Sequence, residues 1–169
     1  PFADIIGHKP QTAYFDRVLE AGTFAHAYVL LGPEGVGKMA LAERFVASLL
    51  NIDVKKLPVH PDVILLSRPV DEKTGEKKKQ IPLEMIRAAC DRLALSAFGG
   101  RKIVIIDEAD TMTVQAQNAL LKTLEEPSGS AVLFLLAEDR SRLLRTIQSR
   151  SVPVTLSRVA TAEIAKSLQ

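Results

Sequence analysis

Residues 32–38 read Gly-Pro-Glu-Gly-Val-Gly-Lys and follow directly on the apolar run Ala27-Tyr28-Val29-Leu30-Leu31. A glycine, four residues and then Gly-Lys is the spacing of a phosphate-binding loop. Its glycines let backbone N–H groups turn toward phosphate oxygens, and its lysine brings a point charge to the β- and γ-phosphates. Gly32, Pro33, Glu34, Gly35, Val36, Gly37 and Lys38 are therefore candidate nucleotide contacts. The next position of the pattern is a Ser or Thr whose hydroxyl ligates Mg²⁺. Here it is Met39, and a thioether is too soft a donor for that ion. These residue types suit a pocket that holds a nucleotide and is poorly equipped to hydrolyse it.

Ile103-Val104-Ile105-Ile106-Asp107-Glu108-Ala109-Asp110 is a second group. An apolar strand ending in Asp-Glu sets two carboxylates at the carboxyl edge of a sheet, beside a phosphate loop that lies in the same sheet. Asp107 is then the candidate Mg²⁺ ligand, usually through water, and Glu108 the candidate base that polarises an attacking water. Asp110 reads as a cap of the following helix or the partner of a nearby base. A third group, Leu143 to Ser151, carries Arg150 beside a helix end. Alone, an arginine there is explained by the helix macrodipole; next to the other two groups that plain reading loses ground.

The elements that position these groups alternate strand and helix, which argues for a parallel sheet covered on both faces. Helices are expected over 10–21, with Gly22 as the stop, over Lys38–Leu50, and from Leu83 to Gly99-Gly100. Two more are expected over Thr113–Glu126, ended by Pro127, and over Arg142–Gln148. Strands are expected at 29–31, 62–66, 102–106, 131–136 and, edge-like, 152–154. Between 67 and 82 the periodicity fails, and Asp71 to Glu76 predicts the turn of a protruding hairpin. Lys77, Lys78 and Lys79 read as its solvated face, with a DNA or partner contact as the alternative. Cys90 falls on the apolar stripe Leu83, Ile86, Cys90, Leu93 and reads as core.

Composition bounds the rest. Hydrophobic residues make up 47% of 169, enough for a core without staples. One cysteine excludes a disulfide framework or a cysteine-based zinc site within the chain. A net charge of +2 makes any DNA contact local, with Arg87, Arg101 and Lys102 as plausible points. No run of 18 apolar residues and no signal-peptide pattern is present, so a cytoplasmic chain with no membrane partner is expected.

Taken together, the three groups resemble the N-terminal AAA+ module of replication clamp-loader subunits, the delta-prime type of bacterial DNA polymerase III above all. The likeness includes Ile5-Ile6-Gly7, His26-Ala27-Tyr28, His60-Pro61-Asp62, Asn118-Ala119-Leu120-Leu121-Lys122, Leu124-Glu125-Glu126-Pro127 and Leu143-Leu144 before Ser149-Arg150. The resemblance implies a three-layer α/β P-loop NTPase fold with a five-stranded parallel sheet. Residues 1–157 would form the AAA+ domain and 158–169 the start of a helical lid. It adds Ile5 and Ile6 to the candidate nucleotide contacts.

It also implies a ring of gamma/tau-like and delta-like subunits that opens the sliding clamp and sets it on primer-template DNA, within a DNA-directed DNA polymerase holoenzyme. Arg150, in Ser149-Arg150-Ser151, would reach the ATP site of a neighbouring subunit as an arginine finger; Ser151 stands where the family has cysteine. Two departures bear on ATP and Mg²⁺: Met39, and Ala137 at the sensor position, where Thr, Ser or Asn is usual. The four-cysteine zinc insertion of the family is missing, so no zinc is expected. Three states of the pocket stay open on sequence grounds: a degenerate holder of nucleotide, an empty site, or a working ATPase of gamma type. A small nucleotide kinase, which shares the loop, lacks support because no arginine-rich lid segment is visible.

Overall fold

The computed structural model describes residues 1–127 and 129–159. Five strands, β1 (Ala27–Leu31), β2 (Val63–Leu66), β3 (Ile103–Ile106), β4 (Val132–Ala137) and β5 (Val152–Thr155), form one sheet in the order β2-β3-β4-β1-β5. Every neighbouring pair is parallel. The strands are short apolar runs because both faces are covered: β1, β3 and β4 are buried at every position.

Alternation within the strands splits the core into two layers. Tyr28, Leu30, Ile103, Ile105, Phe134 and Leu136 face one side, under α1 (Lys9–Ala21) and α2 (Lys38–Leu50). Val29, Val104, Ile106, Leu133 and Leu135 face the other, under α3 (Leu83–Ala94) and α4 (Val114–Glu125). The first layer is aromatic: Phe15 and Phe45 meet edge to face at 5.1 Å, and Tyr28 stacks on Phe134 at 5.2 Å. Removing a ring of this kind, as in Phe134→Ala, costs about 3–5 kcal/mol.

Several expected boundaries hold. α2 spans Lys38–Leu50, and α1 ends at Gly22, whose φ of 66° lets its N–H reach the Leu19 and Val18 carbonyls. The hairpin forms, with Val70 bridging Lys77 and the Asp71 N–H bonding the Glu76 carbonyl at 2.8 Å. β5 lies at the sheet edge.

Others shift. α3 stops at Ala94 rather than at Gly99-Gly100, because the N–H groups of Phe98 and Gly99 turn to the buried Asp62 carboxylate at 2.9 and 2.6 Å. The helix expected over Arg142–Gln148 is a 3₁₀ turn, Arg140–Arg142, followed by α5 (Arg145–Ser149). Leu143 and Leu144 are extended between them. Val54–Val59 forms a 3₁₀ helix that periodicity did not signal. Cys90 is half-buried and packs against the α3–α4 layer, where Thr123 donates to its sulfur at 3.4 Å. The lid expected over 158–169 falls, from residue 160 onward, outside the described residues.

Candidate functional site

The phosphate loop leaves β1 and enters α2, while Asp107 and Glu108 leave β3. The sheet order puts β4 between these two strands, so three strand ends converge on one edge. The Gly32 N–H donates to the Ala137 carbonyl at 3.1 Å, tying the loop to the end of β4. Gly32 has a packing reason to be glycine: a Cβ there would collide with the Leu156 carbonyl oxygen. Gly37 has a conformational one, since its φ of 98° lies in the left-handed region. As N-cap of α2 it offers no side-chain acceptor, which leaves the first-turn N–H groups and the positive helix end to face an anion.

These elements enclose a cleft of about 840 Å³ lined by Gly35, Gly37, Lys38, Met39, Asp107 and Ala137, among others. A second cleft of about 490 Å³ adjoins it, where Ile5 and Ile6 stand beside Glu34, Val36 and Gly37. Gly32 and Pro33 line neither; their carbonyls accept from the Lys38 ammonium at 2.5 and 2.8 Å.

Several cleft residues were not legible as such. Arg68 follows β2, the strand next to β3, and its guanidinium donates to Glu108 at 2.6 Å. Lys77, expected on a solvated face, brings its ammonium to 3.6 Å from the same carboxylate. Thr111, Glu138, Asp139 and Arg142 also line the cleft. The Arg68 hydrogen bond holds the Glu108 carboxyl below its ordinary range, against a smaller opposing push from burial. A carboxylate so engaged is a weakened proton acceptor. Asp110 does not cap α4. Its carboxylate accepts from the N–H groups of Glu138 and Asp139 at 3.2 and 2.9 Å, while Thr113 caps α4 through the Ala116 N–H.

The donor set can be set against ATP and Mg²⁺. The loop, the bare end of α2 and Lys38 fit a phosphate-bearing ligand. The fit to Mg²⁺ is poor. Met39 brings a thioether in place of the usual hydroxyl, and Glu108 is already engaged by the Arg68 guanidinium at 2.6 Å. Lys38, Arg68, Lys77 and Arg142 give four positive charges. Glu34, Asp107, Glu108, Asp110, Glu138 and Asp139 give six negative ones, so a polyphosphate enters a lining of net charge −2 (4 − 6).

Arg150 does not line this cleft. It closes α5, where its Nη1 donates to the Thr146 carbonyl at 3.3 Å and its Nη2 lies 3.1 Å from Glu125 Oε1. The corner is fixed by Gln117, a buried amide on α4 that donates to the Arg142 carbonyl at 3.0 Å and accepts from the Leu144 N–H at 2.8 Å. Gln117 shares a helical face with Leu120 and Leu124, and an amide in such an inward stripe is the signal that could have marked it. Of the plausible DNA contacts, Lys102 donates to the Arg92 carbonyl at 2.5 Å and Arg101 lies over the Phe24 ring at 4.5 Å. Arg87 is exposed.

The family model described as DNA polymerase III, delta subunit, matches residues 7–160. This chain belongs to that family. It is 38% identical to the DNA polymerase III subunit delta' of Pseudomonas aeruginosa, over 84% of this chain and 46% of the relative. It is 32% identical to the subunit gamma of Buchnera aphidicola, over 99% of this chain and 48% of that protein. The DNA polymerase III relatives thus include both the delta' and the gamma type, and the chain spans about half of their length. Among solved structures, a gamma subunit-related protein of Thermotoga maritima superposes with a TM-score of 0.69 at 27% identity, covering 90% of this chain and 47% of that one. The RuvB branch migration motor of the same organism gives 0.66 at 19% identity over 95% and 49%, a likeness of fold alone. The fold is the AAA+ form of the P-loop NTPase, and among the described residues no helix is long and apolar enough to cross a membrane.

Proposed function

We propose that this chain is the AAA+ module of a delta-prime-type clamp-loader subunit that acts mainly through Arg150. In this reading it sits in the cytoplasm in a ring with gamma/tau-like and delta-like subunits. The ring opens a sliding clamp and sets it on primer-template DNA. Arg150 leaves its own molecule and meets the phosphates of ATP bound to a gamma-type neighbour. A guanidinium placed there stabilises charge on the transferred phosphoryl group and is worth about 10³–10⁵ in turnover in related chemistry. The chain's own cleft holds nucleotide weakly, with little or no hydrolysis.

The observation that carries this reading is the contrast within one chain. Met39 and Ala137 both line the cleft where a metal-binding hydroxyl and a polar sensor belong, while Arg150 stands outside it with its guanidinium held between two elements. The test is a complex reconstituted from the whole subunit and its gamma-type partners. Lys38→Ala should leave hydrolysis within about twofold of wild type, because a vestigial site contributes nothing to lose. Arg150→Ala should depress it strongly. The reverse result favours an active gamma/tau-type ATPase, a reading kept open by Lys38, Asp107 and Glu108 all lining the same cleft.

A further inference from the structure

We propose that Glu125, the last residue of α4, is the positioning residue for the Arg150 guanidinium. The inference rests on the reading of Arg150 as a trans-acting cation and adds what holds it in place. α5 has five residues, little more than one turn, and a helix of that length cannot orient a long side chain at its end unaided. Its position is borrowed from α4. At the start of α5, Gln117 grips both the Arg142 carbonyl and the Leu144 N–H. At its end, Glu125 meets Arg150 at 3.1 Å, with Thr146 supplying the second anchor at 3.3 Å. Gln117 and Glu125 lie on one helix and are related by its geometry, so α4 sets the place of α5 and the aim of Arg150 together.

Two physical points favour positioning over simple stabilisation. A carboxylate in the last turn of a helix opposes the macrodipole, so Glu125 serves α4 badly and its placement makes sense through its partner. The pair is also half-exposed, with side chains 37% and 50% accessible, where an ion pair adds little to folding. What it does change is freedom. An arginine has four rotatable side-chain bonds, and two anchors on Nη1 and Nη2 select one arrangement, leaving further N–H groups for a phosphate oxygen. The run from Asn118 to Pro127 thereby gains a physical role, because it ends α4 on the carboxylate that aims the arginine.

The test uses a reconstituted complex in which only the gamma-type site facing this chain keeps its phosphate-loop lysine. Glu125→Ala should lower kcat at that site about tenfold, with KM for ATP, assembly and Tm unchanged, as expected for a misaimed group. Glu125→Gln, which still accepts a hydrogen bond at the same reach, should recover most of the loss. In an Arg150→Ala background, Glu125→Ala should have no further effect. If Arg150→Ala lowers kcat and Glu125→Ala does not, or if their effects multiply, the positioning role is wrong and the finger stands. A rise in kcat with Glu125→Ala would also overturn it, by showing that the carboxylate restrains the arginine. If Arg150→Ala has no effect, the finger reading itself fails and takes this inference with it.

Discussion

The phosphate cleft is built largely from backbone, a glycine turn and an uncapped helix end, whereas the corner between α4 and α5 is organised around one guanidinium held by two neighbours. The cleft keeps the turn, the left-handed Gly37 and the bare helix end, and Met39 and Ala137 are among the residues that line it. The corner keeps Arg150 with an anchor from each of two helices. The difference shows how much each kind of residue says about function. Gly32 is required by the Leu156 carbonyl whether or not a nucleotide ever binds, so folding alone sustains part of the phosphate-loop pattern. A half-exposed arginine contributes about 0.2–1 kcal/mol to folding through such a pair, so folding alone gives little reason for it.

The contrast can be broken most directly at Arg150. Arg150→Ala should reduce hydrolysis at the facing site by about 10³–10⁵ in single-turnover measurements while nucleotide binding to this chain is unaltered. A loss that merely tracks failed assembly would erase the distinction between the regions. Next in size is Gln117→Ala, which strands the Leu144 N–H and the Arg142 carbonyl beside α4. Chemical denaturation should show a loss of about 1–3 kcal/mol. A value within experimental error of zero would mean that α4 does not frame the corner. Met39→Thr sharpens the other side of the comparison. Restoring the hydroxyl should raise ATP affinity about tenfold in the presence of Mg²⁺ and leave it unchanged with chelator, read by titration calorimetry. Equal gains under both conditions would move the defect away from the metal.

The smallest effect lies far from both regions and serves as a control. Burial pushes the Asp62 carboxyl up, but the N–H groups of Phe98 and Gly99, together with the nearby charges of His60 and Lys102, hold the group below its ordinary value. A depressed folded-state pKa adds stability that is present above the unfolded value, about 3.9, and fades as pH falls through the folded one. Asp62→Asn should therefore flatten the acid limb of the stability curve below about pH 4. Hydrolysis by the complex at neutral pH should be untouched by the same change. A steeper acid limb in the variant would contradict the assignment.

Much of the frame was legible because it is written locally. The loop, the strand before it and the helix after it occupy consecutive residues, and α2 begins and ends where its pattern does. Most of the larger misses were decided by a distant residue. α3 gives up its last turn to Asp62, more than thirty residues earlier. The helix expected over Arg142–Gln148 is opened at Leu143 and Leu144, where Gln117 takes the Arg142 carbonyl and the Leu144 N–H. Arg68 could be found only after the sheet order was known, because nothing near Glu108 in sequence announces a guanidinium beside it.

The alternation of elements, the phosphate loop and Met39 in its last position could be read from the residues alone, since these depend on residue types at fixed short spacings. Tertiary structure decided which carboxylates are already engaged, where the arginine is anchored and which charges share the cleft. Those outcomes arise where elements separated in the chain become neighbours, and contacts across that separation leave no periodic trace in the residues that make them.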